Sequence, residues 1–268
     1  MLNNNFINID NTTLDDIYEE TFYFCDNKKI DDITLESMKN YKRIYFTNQF
    51  NQPINNLPSE IQEINFGDNF NQSVDYLPSG VQEITFGCNF NKAIDNLPYE
   101  LKKLNFVMFS EFNQAVNNLP IRLQSIIFGM YFNQYLDNLP ISLKSIIFGD
   151  NFNQPVDNLP TRLNSVIFGK MFNQSINNLP SGLNSIIFGN SFNYPVDNLP
   201  RELNKIVFGN SFNQLVNNLP STLKIIRFGR YFDQSLDKLP TGLQTLILST
   251  FYNKSLNNLP SSLIIDII

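Results

Sequence analysis

The 268-residue sequence predicts a repeat solenoid, in which short coils stack into one parallel β-sheet with little α-helix. Three observations support this prediction. The dipeptide Leu-Pro recurs eleven times, and the step between copies is 20 residues in all cases but one. Each repeat contains an alternating segment of branched and aromatic residues, and in most repeats a single glycine follows it. A period this short leaves room for one strand and a compact return path in each coil.

The strand of each coil is predicted by the segment L-x-x-I-x-F, as residues 57–76 show. Its alternation indicates a strand with one face turned inward, and the glycine that follows ends the strand. The exceptional step, between residues 97 and 119, is 22 residues long. Its two extra residues fall in Val107-Met108-Phe109, where the other repeats mostly have one glycine. A single coil cannot offset the entropy lost on ordering it, so its stability depends on stacking.

Two phenylalanines in each coil predict two aromatic columns in the core, because stacked coils bring equivalent rings together. Ten occupy the strand position (Phe46, Phe66, Phe86, Phe106, Phe128, Phe148, Phe168, Phe188, Phe208 and Phe228), and ten more follow the glycine, from Phe50 to Phe232. The residue after the second column is Asn, with Asp233 once. Amides there can satisfy backbone groups of their own and neighbouring coils, which predicts a structural role.

The string F-N-Q-P-(I/V), clearest at residues 50–54 and 152–156, resembles the FNIP repeat family over residues 37–268. The same unit is similar to a short leucine-rich repeat, because L-P-x-x-L-x-x-I-x-F parallels its strand half. The resemblance implies a curved solenoid with the parallel sheet on its concave face. Because proline removes a backbone donor and fixes φ, we expect extended or 3₁₀ pieces on the convex side.

The family occurs in amoebae and in the large DNA viruses that infect them, which would place this chain in a host cytoplasm. Many members resemble ubiquitin-ligase adaptors that join an F-box to the repeats. Residues 1–36 are too few for an F-box and lack its Leu-Pro opening. A role as a substrate-recruiting ligase subunit would therefore need a partner that supplies the ligase contact.

Residues 1–36 predict an N-terminal cap that covers the first apolar coil. Asn11-Thr12-Thr13 can cap a short acidic helix through Glu20, and Asp15 and Asp16 would favour its first turn. Phe22 and Phe24 predict a degenerate strand after it.

A second strand is predicted at Tyr41, Ile44 and Phe46. At the other end, residues 263–268 read as a truncated strand with Asp266 where Ile is expected. An apolar edge of this kind favours pairing with a strand of another copy, so self-association of the chain through this edge is an alternative function.

Composition and charge exclude several functions. Nine carboxylates against Lys28 and Lys29 give residues 1–36 a charge of −7 within a total of −6, so the repeats are nearly neutral and nucleic-acid binding is not expected. No stretch approaches the roughly 20 apolar residues of a membrane span. Two distant cysteines, Cys25 and Cys88, fit reduced thiols in a cytosol.

The sequence predicts neither an enzyme nor a cofactor or metal site. It has no His, which nucleophilic triads and zinc sites depend on, and no Gly-rich phosphate loop. Glu63 and Glu83 would be about 4.8 Å apart on adjacent strands, close to the roughly 5–5.5 Å of retaining glycosidases. Lys103 follows in the same column, so we interpret them as solvated acids. Cys88 has no base and is interpreted as a strand-end residue.

A protein partner is predicted to bind the concave face, at the outward position between Ile and Phe. Along the stack this position changes from polar residues to five consecutive apolar ones: Ile127, Ile147, Ile167, Ile187 and Val207. Exposed apolar patches often mark interfaces, and Met130, Tyr131, Met171 and Tyr231 would rim this one. The alternative is that β-branched residues are there for strand formation alone. The predicted function is a protein–protein interaction scaffold.

Overall fold

A computed structural model describes residues 20–268 of the chain. These residues form one parallel sheet of 13 strands whose spatial order is their sequence order. The strands are β1 (Thr21–Phe24), β2 (Arg43–Phe46), β3 (Glu63–Asn65), β4 (Glu83–Phe86), β5 (Lys103–Phe106), β6 (Ser125–Ile127), β7 (Ser145–Ile147), β8 (Ser165–Ile167), β9 (Ser185–Ile187), β10 (Lys205–Val207), β11 (Ile225–Arg227), β12 (Thr245–Leu248) and β13 (Ile264–Ile267). One helix, α1 (Asp32–Met38), lies between β1 and β2. The prediction of a solenoid with one parallel sheet and little helix is confirmed.

The strand register follows the repeat, so every strand residue faces its equivalent in the next coil. Ile146, for example, pairs with Ile126 on one side and Val166 on the other. Residues at this position and at the following Phe are buried, whereas the residues that alternate with them face away from the core. We call the surface that these alternating residues form the open face of the sheet.

The two predicted phenylalanine columns are present and fill the core. Within a coil the two rings stack with centroids 3.7–4.4 Å apart. Phe24 closes the columns at the β1 end, where its ring stands edge-on to Phe46 and Phe50. At the other end Tyr252 extends the second column, 6.0 Å from Phe232. The rings therefore form one continuous stack through the solenoid.

Spacing between equivalent rings shows which way the solenoid bends. Adjacent strands are about 4.8 Å apart. Centroids of strand-position rings in successive coils are 5.3–5.7 Å from each other, except at the longer repeat, where the distance is 6.2 Å. Rings of the second column, beyond the turn that ends the strand, are 6.0–6.2 Å apart. Because the coils spread away from the sheet, the sheet lies on the inside of the bend.

An asparagine ladder joins the coils just after the second column, as predicted. The side-chain Oδ1 of each Asn accepts from the backbone N–H of the equivalent residue one coil later, at 2.8–3.0 Å, from Asn27 to the N–H of Asp233. Gln side chains add a second contact, for example Gln154 Nε2 to Asn133 Oδ1 at 3.2 Å. The ladder satisfies backbone donors that the tight turn would otherwise leave unpaired.

The return path of each coil consists of turns. One turn is closed by a hydrogen bond at the second leucine of the L-P-x-x-L segment. The backbone N–H of this leucine donates to the carbonyl of the proline three residues earlier, as Leu143 does to Pro140 at 3.1 Å. This is a 3₁₀-type bond, but within residues 20–268 it never extends into a 3₁₀ helix. The rest of the path is irregular, and its apolar side chains point into the core.

The N-terminal part adds a strand and a helix to the first coil. Strand β1 includes Phe22 and Phe24 and pairs with β2. Helix α1 begins after Asp31, whose side chain accepts from the Thr34 N–H at 2.8 Å, and Met38 at its end is buried. The sequence did not predict this helix. The acidic helix predicted at residues 11–20 lies outside the described residues except for Glu20.

Candidate interaction surface

Five apolar side chains form a continuous row on the open face. Ile127, Ile147, Ile167, Ile187 and Val207 pair in register across β6–β10. At about 4.8 Å per strand the row is about 19 Å long. Each side chain is half-buried by its neighbours. We call this row the apolar stripe. It contains the five strand residues predicted from the sequence to form the centre of a partner-binding surface.

A row of serines runs beside the apolar stripe. Ser125, Ser145, Ser165 and Ser185 occupy the other outward position of β6–β9. Ser165 Oγ donates to Ser145 Oγ at 3.2 Å. Four consecutive strands therefore present small hydroxyls and branched apolar groups on the open face, with no charged side chain among them. Charge depletion of this kind is typical of the centre of a protein interface.

The open face is polar before the stripe begins. Glu63 accepts from Arg43 Nε at 3.2 Å and from the Tyr45 hydroxyl at 3.1 Å. Partial burial, together with Glu63, raises the pKa of Tyr45 to about 12. Glu83 pairs with Lys103 at 3.0 Å and accepts from Asn105.

The two carboxylates considered for catalysis face each other in the register of β3 and β4. Each is engaged by its own cation, on opposite sides of the pair. The two carboxylates therefore lie between two cations in a row of charged side chains along the sheet.

The two-residue insertion forms an exposed bulge at one end of the stripe. Met108 and Phe109 are 72 % and 58 % exposed. Met108 also lines a cavity of about 250 Å³ with Met130, Ile127 and Ile147. Sequence reasoning located the insertion but did not assign Met108 or Phe109 to the surface. The cavity, which we call the methionine cavity, extends the apolar stripe beyond β6.

The predicted rim residues do not form one group. Met130 lies in the methionine cavity, and Tyr131 beside it is 48 % exposed. Met171 is 54 % exposed in the turn after β8. Tyr231, 62 % exposed, lies in the turn after β11, one coil beyond the last stripe residue. Thus Met130, Tyr131 and Met171 flank the stripe, whereas Tyr231 lies apart from it, with its ring centroid 5.9 Å from the Arg230 guanidinium.

A second cavity, of about 240 Å³, lies at the opposite end of the stripe. Arg227 and Arg230 line it together with Ser249, Thr250 and Phe251. Arg227 is paired in register with Val207, so the cavity directly continues the stripe. The Arg230 guanidinium lies over the Phe251 ring, 4.2 Å from its centroid. We call this cavity the arginine pocket.

Three further features concern thiol reactivity, metal binding and membrane insertion. Burial and the nearby Asp68 raise the pKa of the Cys88 thiol, which opposes its use as a nucleophile. Across residues 20–268 there is no group of metal-ligating side chains. That same part of the chain contains no helix long and apolar enough to cross a membrane.

The stacked coils, the single parallel sheet and the asparagine ladder define a solenoid of the leucine-rich-repeat type, a fold typical of protein-interaction scaffolds. The model of the FNIP repeat matches at residues 50–89, 70–109, 112–149, 132–171, 172–211, 192–231 and 212–251. These ranges cover most of the chain, and the chain therefore belongs to the FNIP repeat family.

Among solved structures, the chain is similar to CroV588, a giant-virus protein described as a novel circular leucine-rich-repeat structure. The two are 36 % identical with a TM-score of 0.79 over 93 % of this chain and 40 % of that one. The chain thus spans well under half the length of CroV588. A leucine-rich-repeat protein from Bacteroides ovatus is 12 % identical over 86 % of this chain and 79 % of its own, with a TM-score of 0.23. No protein with a curated function matches the chain.

Proposed function

We propose that the chain is an interaction scaffold whose protein partner lies on the open face across β6–β10. The observation that supports this most directly is the apolar stripe, five in-register side chains at outward positions of adjacent strands, each of them partly exposed. The uncharged serine row beside it and the methionine cavity at its end extend the same surface. Together the stripe, the serine row and the methionine cavity form a largely apolar surface with polar strands on both sides of it.

The rigidity of this surface favours recognition without rearrangement. Every stripe residue belongs to a strand that is bonded on both sides, and the ring stack lies directly beneath. A preorganised surface loses little conformational entropy when a partner binds. The inside of the bend also suits a convex partner, such as a helix or a loop.

The test is the double variant Ile167→Lys/Ile187→Lys, which puts two charges in the middle of the stripe. We expect it to retain the wild-type circular dichroism spectrum and to lose partners that co-purify with the wild type from the native host. The matched control is Ile121→Lys/Ile141→Lys, which makes the same change at two exposed isoleucines in neighbouring coils, outside the sheet. Identical sets of bound proteins for the wild type and both variants would contradict the proposal.

A second candidate is self-association through β13, which within residues 20–268 pairs with β12 alone. Ile264, Ile267 and Ile268 are 57–60 % exposed there. An unpaired apolar edge is a template for another strand. Light scattering over a range of concentrations would show a rising mass for the wild type and a constant monomer mass for Ile264→Lys/Ile267→Lys. A constant mass for the wild type would exclude this candidate.

A further inference from the structure

We propose that the arginine pocket binds a carboxylate of the same protein partner whose apolar segment lies on the stripe. This inference rests on the proposed function and adds the chemistry of the partner. It would make the surface directional, with an apolar anchor at the methionine cavity and an anion at the arginine pocket. Three observations support it, one from charge, one from geometry and one from position.

The first observation is that both guanidinium groups lack a counter-ion. Among the described residues neither Arg227 nor Arg230 is in an ion pair. The nearest carboxylate in the column of Arg227 is that of Asp266, two strands away. Lys205, diagonal to Arg227 on β10, forms no ion pair within residues 20–268 either. Three cations without an ion pair at one end of the apolar stripe leave an excess of positive charge that a partner's anion would neutralise.

The second observation concerns the geometry of the donors. The Arg230 guanidinium lies 4.2 Å from the Phe251 centroid and 5.9 Å from that of Tyr231. Contact with ring faces orients a guanidinium and leaves its in-plane N–H groups available. Ser249 and Thr250 line the same cavity, and each carries a hydroxyl that can donate a hydrogen bond. Two planar forks and two hydroxyls suit a carboxylate, which accepts hydrogen bonds on both oxygens.

The third observation is the contrast with equivalent positions in other coils. Lys170 occupies the position of Arg230 three coils earlier, and there Asp150 in the adjacent coil pairs with it at 2.6 Å. Arg230 has Asn210 in the place of that aspartate. The solenoid therefore can supply a counter-ion at this position, and at Arg230 it does not.

The distance between the two cavities sets the length of the partner segment. The methionine cavity lies at β6 and β7 and the arginine pocket at β11, so four to five strand spacings separate them, about 19–24 Å. An extended segment spans this distance with about 6–7 residues, and a helix with about 13–16. The partner is thus a segment with a large apolar side chain at one end and Asp or Glu at the other.

The experiment selects a random library of 16-residue peptides displayed on phage against four immobilised full-length proteins. These are the wild type, Arg227→Ala/Arg230→Ala, Ile167→Lys/Ile187→Lys and the control Arg122→Ala. Arg122 is a matched control because it also lies over an aromatic ring, that of Tyr99 at 4.8 Å, but is already paired with Glu100 outside the sheet. Circular dichroism verifies that all four are folded.

We expect the wild type and Arg122→Ala to enrich peptides with a large apolar residue and an acidic residue at a constant separation. The arginine double variant should enrich apolar peptides without the acidic residue. In a synthetic peptide from the wild-type selection, Glu→Gln should weaken binding to the wild type about tenfold and leave binding to the arginine variant unchanged. Raising the salt concentration should weaken only the acidic peptide.

Three distinguishable results would overturn the inference. If wild type and arginine variant enrich the same peptides, and the stripe variant enriches none of them, the pocket has no carboxylate role while the proposed function stands. If the stripe variant enriches the same peptides as the wild type, the proposed function fails as well. Binding of acidic phospholipid vesicles that requires both arginines, with no acidic preference among peptides, would assign the pocket to a membrane and also overturn it.

Discussion

A Cβ atom on Gly149 would overlap the carbonyl oxygen of Gly129 in the preceding coil. The same relationship links Gly169 to Gly149, and it recurs along the solenoid. The backbones of successive coils therefore touch where each strand ends. Glycine is needed here for this close approach; none of the glycines has a positive φ.

The first prediction follows from this contact. Gly149→Ala should destabilise the chain by about 1–3 kcal/mol, because the added methyl group forces two backbones apart. Gly182→Ala is the control, since its Cβ would meet nothing nearer than the Thr161 carbonyl oxygen at 3.6 Å. That variant should be neutral or slightly stabilised. Urea unfolding followed by circular dichroism measures both, and equal midpoints for the two variants would contradict the explanation.

Val107 shows how the chain accommodates a side chain at the glycine position. This coil has two extra residues, and Met108 and Phe109 bulge out from the surface. The backbone hydrogen bonds between adjacent strands continue one residue further there, because the Val107 N–H donates to the Phe86 carbonyl at 3.1 Å. Thr47 and Ser249 also occupy this position in coils of regular length, so a side chain here does not by itself require the insertion.

The second prediction concerns the ring stack. Phe152 is fully buried between Phe132 and Phe172, with Phe148 at 3.9 Å in its own coil. Phe152→Ala should cost about 3–5 kcal/mol, because it leaves a cavity that rigid strands on both sides cannot close. Phe109→Ala removes the same ring from an exposed site and should change stability by less than about 0.5 kcal/mol. Thermal unfolding compares the two; similar losses would show that the stack does not dominate the core.

The repeat made most of the fold predictable. In a solenoid the neighbours of each coil are copies of itself, so a local pattern such as I-x-F also specifies the long-range contacts of Ile146 and Phe148. The strands, both ring columns and the asparagine ladder followed from this. The apolar stripe was predictable for the same reason, since its five residues share one strand position.

The remaining features lie where the copies differ, and periodicity gives no information there. The methionine cavity depends on the path of the insertion at Met108, which the period locates but does not orient. The arginine pocket depends on Arg227 in a strand and Arg230 in the turn that follows. Helix α1 lies outside the repeat, and its only local signal is the Asp31 cap before a short run of mixed polar and apolar residues. These are differences of tertiary packing that a single sequence does not specify.

The third prediction tests the asparagine ladder. Asn133 Oδ1 accepts from the Asn153 N–H at 2.9 Å and from Gln154 Nε2 at 3.2 Å. Asn133→Ala should cost about 1–3 kcal/mol, because the Asn153 N–H loses its partner in a half-buried turn. Asn133→Asp keeps the acceptor and should lose less.

Asn138→Ala is the control for the ladder variant. It removes an exposed amide from the same coil and should leave stability within about 0.5 kcal/mol of the wild type. Chemical unfolding of the three variants under identical conditions gives the comparison. A loss for Asn138→Ala as large as that for Asn133→Ala would show that the ladder bonds add nothing specific.

The fourth prediction concerns alkaline pH and the polar part of the open face. The pKa of Tyr45 is raised from 10.0 to about 12, first by burial and then by the Glu63 carboxylate that its hydroxyl donates to. Because the folded chain binds this proton more tightly than the unfolded chain, the resulting stability is complete below about pH 10 and is lost as the pH rises to 12.

Ultraviolet titration of the tyrosines measures this pKa, and the component that titrates near pH 12 should be absent in Tyr45→Phe. Glu63→Gln should lower the pKa of Tyr45 toward its ordinary value, because the carboxylate that opposes phenolate formation is gone. A titration curve that Glu63→Gln leaves unchanged would show that Glu63 does not control this phenol.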